Sequence, residues 1–237
     1  MNITARPATP DDVKFLARTM ELSMLPVQGQ GLFDEMSDAI GMDRLSFHEA
    51  ALLARASNWG QLADAVVVEV DGEPGAASSA HLSNMPDIRP MTMAQVQSLS
   101  RHLGLSPEES KTLLRAYIGK FGAFGDLPHL RHPAEYVLEF GAALPHFAGL
   151  RLTKYVYGAH VKRALDRGCK TMGALALVGN NLSLNGAKRL GLNLHSTVTA
   201  DDVGGGFIGM HRLVLDLTDL AEGYEPGEPL PPVYRRQ

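Results

Sequence analysis

Residues 135–143 read EYVLEFGAA, residues 152–167 read LTKYVYGAHVKRALDR, and residues 170–178 read KTMGALALV. The first and third stretches are short and apolar, which is typical of buried strands, whereas the second has the length and spacing of a helix that ends at Gly168. A strand, a crossover helix and a second strand form a β-α-β unit, whose two strands run parallel and whose crossover is right-handed. The sequence therefore predicts an α/β fold built around this unit.

The flanking sequence supplies further elements of both kinds. Upstream, the patterns predict a strand at 3–8, helices at 10–24 and 46–57, and a hairpin of strands at 65–70 and 74–82 joined by the Asp71-Gly72 turn. Downstream, they predict a helix from 180 or 181 to about 190, an extended segment at 192–199 and, after a glycine run at 204–206, a last strand at 207–217. Ser46 and Glu49 have capping-box spacing, so we expect Ser46 to cap the helix at 46–57.

Residues 83–133 interrupt this order and are predicted to form a helical insertion. Residues 91–103 have helical spacing, and Ser106 with Pro107 provides the cap and first-turn proline of a second helix at 107–120. The apolar face of this pair must be buried, either as a lid over a binding cleft, in a dimer contact or on the back of the sheet. We expect residues 1–217 to form one domain and the proline-rich residues 218–237 to form a C-terminal tail.

The composition argues against several classes of protein. With 22 Lys and Arg against 26 Asp and Glu, the net charge is −4, which argues against a chain-wide basic surface for nucleic acid. Cys169 is the single cysteine, which excludes an internal disulfide and a thiolate zinc cluster and fits a reducing compartment. The apolar runs are far shorter than the roughly 18 residues of a membrane-spanning helix. We therefore expect a soluble, cytoplasmic protein that binds neither nucleic acid nor membranes.

Several well-known catalytic motifs are absent from the sequence. It contains no GxxxxGK[ST] phosphate loop, no GxGxxG dinucleotide fingerprint and no GxSxG nucleophile elbow. His48-Glu49 begins like the zinc motif HExxH, but position 52 is leucine, and His129 and His132 have no cysteine or carboxylate clustered with them. No metal site is expected, and the single cysteine is interpreted as a small buried residue.

The loop between the first strand and the crossover helix has the layout of an anion site. A strand, a glycine-containing loop and a helix start leave free N–H groups, and these groups and the helix dipole both favour a phosphate. In many β-α-β units, however, a glycine at this place only turns the chain. Spacing alone leaves both interpretations open.

Two motifs resemble those of the GNAT superfamily of acyl-CoA-dependent N-acyltransferases. The first family motif, V-x-P-x-x-R-G-x-G-x-G/A, aligns without gaps with ALPHFAGLRLT at 143–153, where Pro145 and Gly149 match. The basic position is Ala148, and the later small positions are Arg151 and Thr153.

The second family motif, N-x6-Y-x3-G-F, follows the next strand. It aligns with Asn180 and Gly191, whereas Ala187 stands at the tyrosine and Leu192 at the aromatic position. Both motifs lie at the separation and in the secondary structure that the family shows. The resemblance covers nearly the whole chain except residues 83–133 and the tail.

The resemblance implies a mixed, mostly antiparallel twisted sheet with helices on both faces and one helical insertion. It also implies acetyl-CoA or another acyl-CoA as co-substrate, with the pantetheine arm in a gap between the strands at 135–143 and 170–178. The residues assigned to this co-substrate are Ala142 and Ala143 on the strand, then Ala148, Gly149, Leu150, Arg151, Leu152, Thr153 and Lys154 at the helix start, and Asn180. Arg151 and Lys154 either bind phosphate directly or form a solvated helix start.

Two carboxylates are candidates for the base that such a transfer requires. Glu135 and Glu139 lie four residues apart and so share one face of a regular strand, and Glu139 lies deeper, where burial would raise its pKa toward neutrality. Glu139 is therefore the predicted catalytic residue, the alternative being that both are solvated acids. The family's usual acid is missing at Ala187, and Tyr155 and Tyr157 on the crossover helix have no assigned role.

The function implied by the resemblance is transfer of an acyl group, most simply acetyl, from acyl-CoA to an amine. The acceptor is expected to be a small-molecule or peptide amine, and a homodimer is possible. One alternative is a catalytically silent acyl-CoA-binding or interaction module of the same fold, which the missing tyrosine favours. Another is an acyltransferase for a longer acyl chain, with the apolar insertion roofing a larger pocket.

Overall fold

Seven strands form one sheet in the computed structural model, which describes residues 1–29, 31–122, 124, 127–203, 209–220 and 224–231. The strands are β1 (Ile3–Pro7), β2 (Val66–Val70), β3 (Glu73–Leu82), β4 (Tyr136–Ala143), β5 (Thr171–Leu177), β6 (Asn193–Val198) and β7 (Met210–Asp216). The helices are α1 (Val13–Gln28), α2 (Asp34–Ala39), α3 (Arg44–Leu53), α4 (Met93–His102), α5 (Pro107–Phe121), α6 (Thr153–Asp166), α7 (Asn181–Arg189) and α8 (Ala200–Val203).

The order of strands across the sheet is β1-β2-β3-β4-β5-β7-β6. Neighbouring strands run antiparallel except β4 and β5, which run parallel and are joined by α6. This confirms the β-α-β unit predicted from residues 135–178. It also confirms the predicted α/β class with a mixed, mostly antiparallel sheet.

Helices cover both faces of the sheet, as predicted. On one face, Val67, Ala77 and Phe140 pack in a core with the buried residues of α1, α3, α4 and α5. On the other face, Tyr136 and Leu138 pack in a second core with α6 and α7. The β4-α6-β5 unit therefore has a core on each side, and its strands are held in place from both faces.

Local sequence signals account for most of the element ends, with one correction. The Ser106 hydroxyl caps α5 in a capping box with Glu109, as predicted. Ser46, in contrast, does not cap α3: the helix begins two residues earlier, at Arg44, and the Asp43 carboxylate accepts a hydrogen bond from the Ser46 N–H. Aspartate is as good a cap as serine, so cap quality alone does not distinguish the two starts. The short helices α2 and α8 were not predicted.

The helices of the 83–133 segment, α4 and α5, pack in the helical layer on one face of the sheet. Leu99 of α4 and Leu113 of α5 are fully buried in the core that also contains α1, α2 and α3. The pair thus extends the helical layer on that face and does not itself roof a cleft. Only the connecting stretches before α4 and after α5 approach the site described below.

Residues 224–231 pack against α6. Leu230 is buried, and its N–H donates a hydrogen bond to the Lys154 carbonyl. Gly158 of α6 faces this segment so closely that a Cβ there would lie 1.8 Å from the Glu228 carbonyl oxygen. Part of the predicted tail therefore packs on the surface. The glycine run at 204–206, position 207 and the last residues, 232–237, lie outside the described residues.

Candidate active site

The parallel strands of the β-α-β unit separate part-way along their length. β4 and β5 are paired at Tyr136–Met172, Val137–Gly173 and Leu138–Ala174. Beyond this point both strands continue but no longer pair with each other. The gap opens into a cleft of about 780 Å³. The walls come from β4, β5, the start of α6 and α7, and from Leu22, Ser23 and Met24 of α1. The sheet is thus open at the place where the sequence predicts a co-substrate.

A β-bulge in β4 lies at the inner end of this cleft. Ala77 of β3 pairs with Ala142, but Ser79 pairs with Glu139, so β4 has one more residue than β3 between these pairs. Phe140 takes up the excess with a φ of 53°, a left-handed conformation that is unfavourable for a bulky residue. The bulge bends β4 away from β5 and places Glu139 at the point where the strands separate.

The exposed edge of β4 offers backbone groups to the cleft. The Leu144 N–H donates to the Gly75 carbonyl of β3. Because successive residues of a strand direct their N–H groups to opposite edges, Ala142 faces β3 and Ala143 directs its N–H into the cleft. An unpaired strand edge of this kind can hydrogen-bond an extended amide-containing chain.

The loop before α6 has the conformation of a glycine-rich loop, although only one of its residues is glycine. Gly149 has a φ of 92° and Arg151 a φ of 54°, so Arg151 keeps the left-handed backbone of a glycine position. The Ala148 and Leu150 N–H groups donate to carbonyls within the loop. Within the described residues, the N–H groups of Arg151, Leu152 and Thr153 have no such partner, as expected at a helix start.

The predicted site residues fall into two groups. Glu139, Ala142, Ala143, Ala148, Thr153 and Asn180 all line the cleft. Gly149, Leu150, Arg151, Leu152 and Lys154 do not line it. Among the latter, the Leu152 side chain is buried against Val68 and Val156, Arg151 is exposed, and the Lys154 ammonium lies 5.0 Å from the centre of the Tyr155 ring.

Asn180 has a structural role in addition to its place on the cleft wall. Its side-chain oxygen accepts a hydrogen bond from the Ser183 N–H and so caps α7. This bond fixes the start of α7 beside the cleft. Ala187, which stands where the family has its tyrosine, also lines the cleft and brings no polar group to it.

Glu139 is a buried carboxyl at the inner end of the cleft. It is only 8 % exposed, and within the described residues its side chain forms no hydrogen bond. Burial disfavours the charged form and raises the pKa of Glu139 to about 8. A carboxyl with such a pKa can exchange a proton with an amine near neutral pH. Glu135, the other predicted acid, is exposed, and its carboxylate accepts hydrogen bonds from the Lys170 and Thr171 N–H groups.

Two histidines that the sequence did not single out for this site lie close to Glu139. The His81 Nδ1 atom is 3.9 Å from the Glu139 Oε1 atom. Burial lowers the pKa of His81 to about 3 and that of His132 to about 4, so both rings are neutral at physiological pH. The alternation of β3 could have placed His81 on the same face as Ala77, but nothing in the sequence pairs it with Glu139.

A tyrosine of α6 is the other functional candidate that the sequence left without a role. Tyr157 lines the cleft, and its hydroxyl forms no hydrogen bond within the described residues. Burial raises its pKa to about 12, so the hydroxyl stays protonated and can act as a donor. Helical spacing alone could not show which face of α6 is turned to the cleft.

Other classes of site find no support in the described part of the chain. No helix there is long and apolar enough to cross a membrane. No group of three or more His, Cys, Asp or Glu residues is placed there to hold a metal ion. Cys169 is buried, and burial raises the pKa of its thiol, which makes it a poor nucleophile.

No protein-family model and no curated protein matches the sequence, whereas many solved structures match the fold. An N-acetyltransferase from Staphylococcus aureus Mu50 is 14% identical with a TM-score of 0.55, and the match covers 90% of this chain and 100% of that one. A protein named SsHAT is 16% identical with a TM-score of 0.56, covering 92% and 99%. A polyamine N-acetyltransferase from Drosophila melanogaster is 14% identical with a TM-score of 0.50, covering 91% and 100%.

The chain has the GNAT fold. The resemblance inferred from the motifs at 143–153 and 180–192 is thereby confirmed for the fold. Within this GNAT fold, the separated strands, the bulge and the loop before α6 occur together in one cleft. The 83–133 segment adds α4 and α5 to the helical layer on one face.

Proposed function

We propose that this protein is an acyl-CoA-dependent N-acyltransferase that transfers an acyl group, most simply acetyl from acetyl-CoA, to a small-molecule amine. The observation that carries the proposal is the buried, uncompensated carboxyl of Glu139 at the inner end of a cleft between separated parallel strands. In support, the neighbours from S. aureus and D. melanogaster are N-acetyltransferases, and the fly protein is a polyamine N-acetyltransferase that forms N-acetylagmatine.

The cleft and the loop before α6 provide for the two ends of an acyl-CoA. The Ala143 N–H faces the cleft and can pair with an amide of the pantetheine arm. The N–H groups of Arg151, Leu152 and Thr153 at the start of α6 suit the pyrophosphate, because free N–H groups and the helix dipole both favour an anion. Arg151 and Lys154 add positive charge at this end.

The reaction needs two protons removed from the acceptor nitrogen and one negative charge stabilised. The Glu139 carboxylate takes the first proton from the ammonium form of the acceptor, and the free amine nitrogen attacks the thioester carbonyl. A C–N bond forms, the C–S bond breaks, and the second proton of the attacking nitrogen passes through water to the leaving thiolate. A backbone N–H at the cleft edge of β4 stabilises the carbonyl oxygen as it becomes negative.

A silent acyl-CoA-binding module is the second candidate, and Ala187 at the family's tyrosine position is the observation that favours it. Two measurements separate the candidates. We expect millimolar acetyl-CoA to raise the melting temperature, since a ligand at a hundredfold excess over its Kd stabilises a protein by about 2.7 kcal/mol. We also expect free-thiol release when a panel of primary amines is added. Binding without thiol release supports the silent module, and an unchanged melting temperature contradicts both candidates.

Arg151 is expected to contribute to phosphate binding. Arg151→Ala should weaken CoA binding by about 1.5–3 kcal/mol, the scale of a charge-assisted hydrogen bond. Arg151→Gly should weaken it similarly and also raise the melting temperature, since it removes a left-handed residue that costs roughly 1–2 kcal/mol. Calorimetric titration with CoA measures the first effect and thermal unfolding the second. Affinity equal to or tighter than wild type in both variants would mean that the arginine only obstructs the loop.

Tyr157 is expected to hydrogen-bond the departing thiolate in place of the tyrosine missing at Ala187. Tyr157→Phe should lower kcat about 10- to 100-fold, the value of one hydrogen bond to a charged group. Tyr155→Phe is the matched control, because Tyr155 lies on the same helix but packs against Val68 and Val156 and does not line the cleft. Equal kcat values for the two variants would remove Tyr157 from the mechanism.

A further inference from the structure

A second, smaller pocket of about 40 Å³ lies directly behind Glu139. It shares Trp59, Glu139, Leu175 and Met210 with the cleft, so its occupant would be next to a thioester held in that cleft. The rest of its wall comes from β3 and from the stretches before α4 and after α5. It includes His81, Arg131 and His132 and the apolar side chains of Met85, Ile88 and Leu130.

Two buried histidine nitrogens in this pocket, His81 Nδ1 and His132 Nε2, have no hydrogen-bond partner among the described residues. The His132 ring is held through its other nitrogen, which accepts a hydrogen bond from the Ala134 N–H, whereas the His81 side chain, 10 % exposed, forms no hydrogen bond. The Glu139 carboxyl opposite His81 also forms no hydrogen bond among these residues. Leaving a buried polar group unpaired is unfavourable, because the group has lost its hydrogen bonds to water. Two such groups facing each other across 3.9 Å indicate a place built for a third polar group.

We propose that this pocket is the acceptor subsite, and that it takes a small primary monoamine whose nitrogen bridges Glu139 Oε1 and His81 Nδ1 while its short hydrocarbon chain lies among the apolar side chains. The proposal rests on the proposed function and names the acceptor class for it. Glu139 removes the proton, and His81 is a positioning residue that orients the nitrogen.

The geometry and the charges both suit an amine nitrogen at this point. N–H···O hydrogen bonds span about 2.7–3.2 Å, so one nitrogen can reach two atoms that are 3.9 Å apart. An ammonium has three N–H donors, enough for both atoms. Burial keeps the His81 ring neutral, with a pKa of about 3, so that Nδ1 can accept a hydrogen bond without repelling the cation.

The size and lining of the pocket limit the rest of the acceptor. At about 10–15 Å³ for each water-sized occupant, the pocket has room for about three or four non-hydrogen atoms. Apart from Glu139, its described lining contains no carboxylate that could neutralise a second ammonium group. Arg131 brings a positive charge to the wall, and its guanidinium donates hydrogen bonds to the Ser83 and Met85 carbonyls. A diamine is therefore disfavoured relative to a monoamine.

The test compares n-propylamine with 1,3-diaminopropane, which adds only a second amino group. We expect n-propylamine to have at least a tenfold lower KM in acetyl-CoA-dependent thiol release. His81→Leu should raise this KM about 10- to 100-fold with a smaller change in kcat and none in the KM for acetyl-CoA, whereas His81→Gln, which keeps an acceptor atom, should recover part of it. His48→Leu is the control, because His48 is also buried with an unpaired Nδ1 but lines neither pocket.

Binding is also measured without turnover, so that failure of the subsite differs from failure of the proposed function. Addition of n-propylamine at pH 9 should move the His81 imidazole nitrogen resonances and leave those of His48 unchanged. If acetyl-CoA binds but n-propylamine moves no His81 resonance, or if the diamine has the lower KM, the subsite proposal is overturned and the acyltransferase proposal remains. If the amine binds at His81 but no acyl-CoA binds, the acyltransferase proposal fails and the amine site remains.

Discussion

Replacing Glu139 by glutamine is expected to lower kcat/KM for the amine by about 10²–10⁴-fold, the usual contribution of a general base. Glutamine keeps the shape and the hydrogen-bonding atoms of the protonated acid but cannot take a proton. In the proposed complex acyl-CoA contacts other groups, chiefly the edge of β4 and the start of α6, so the affinity for acetyl-CoA should change little. Thiol release and calorimetric titration measure the two quantities separately.

The pH profile makes this test specific to a base. The pKa of Glu139 is raised to about 8, so kcat/KM of the wild-type protein should rise through this pH and level off above it. The residual activity of Glu139→Gln should lack that rising limb. Glu135→Gln is the matched control, since Glu135 precedes the same strand but is exposed and outside the cleft. A rising limb with the same midpoint in Glu139→Gln would assign the base to another group.

The sequence was most informative where one local pattern decides one element. The β-α-β unit, the Asp71-Gly72 hairpin and the α5 capping box each rest on a few adjacent residues, and each is present in the structure. The start of α3 shows the limit of this reasoning. Asp43 and Ser46 are both good caps, and which of them is used depends on how the helix packs against α1 and α2.

The candidate site was less predictable because it depends on contacts between distant residues. Glu135 and Glu139 share a face in a regular strand, but the bulge at Phe140 places only Glu139 at the strand separation. A left-handed phenylalanine has no sequence signature. Glu139 and His81 are separated by the whole 83–133 segment, so their proximity follows from strand pairing and from no motif.

The loop before α6 was predictable in part: the sequence located the loop, but not the conformation of each residue in it. Gly149 and Arg151 are both left-handed, and Arg151 stands where the family motif has a glycine. The residue type at 151 gives no sign of this conformation, because an arginine rarely adopts it. The motif also could not show which of its residues line the cleft, since that depends on tertiary packing. Leu152, for example, is buried in the core with Val68 and Val156.

Glu139→Gln is also expected to change how the free energy of unfolding depends on pH. This is the largest effect on stability expected of the substitutions described above. The pKa of Glu139 is about 8 in the folded chain against an ordinary value of 4.5. Between these pH values the folded chain holds a proton that the unfolded chain has lost, so the free energy of unfolding falls as pH rises through this window. At 1.36 kcal/mol per pKa unit, the wild-type protein loses about 5 kcal/mol in all.

Urea unfolding at pH 5 and pH 9 measures this effect. At pH 5 the two proteins should differ by only about 1 kcal/mol, because both side chains are neutral in the folded chain and pH 5 lies just above the ordinary pKa of a glutamate, whereas at pH 9 the variant should be more stable by about 4–5 kcal/mol. The pKa values of His81 and His132 are lowered from 6.5 to about 3 and 4, so these rings act in the opposite direction below pH 6.5, but they are present in both proteins. The difference between the two proteins therefore isolates position 139. If the variant is no more stable at pH 9, the Glu139 carboxyl is solvated in the folded protein and its pKa lies near its ordinary value.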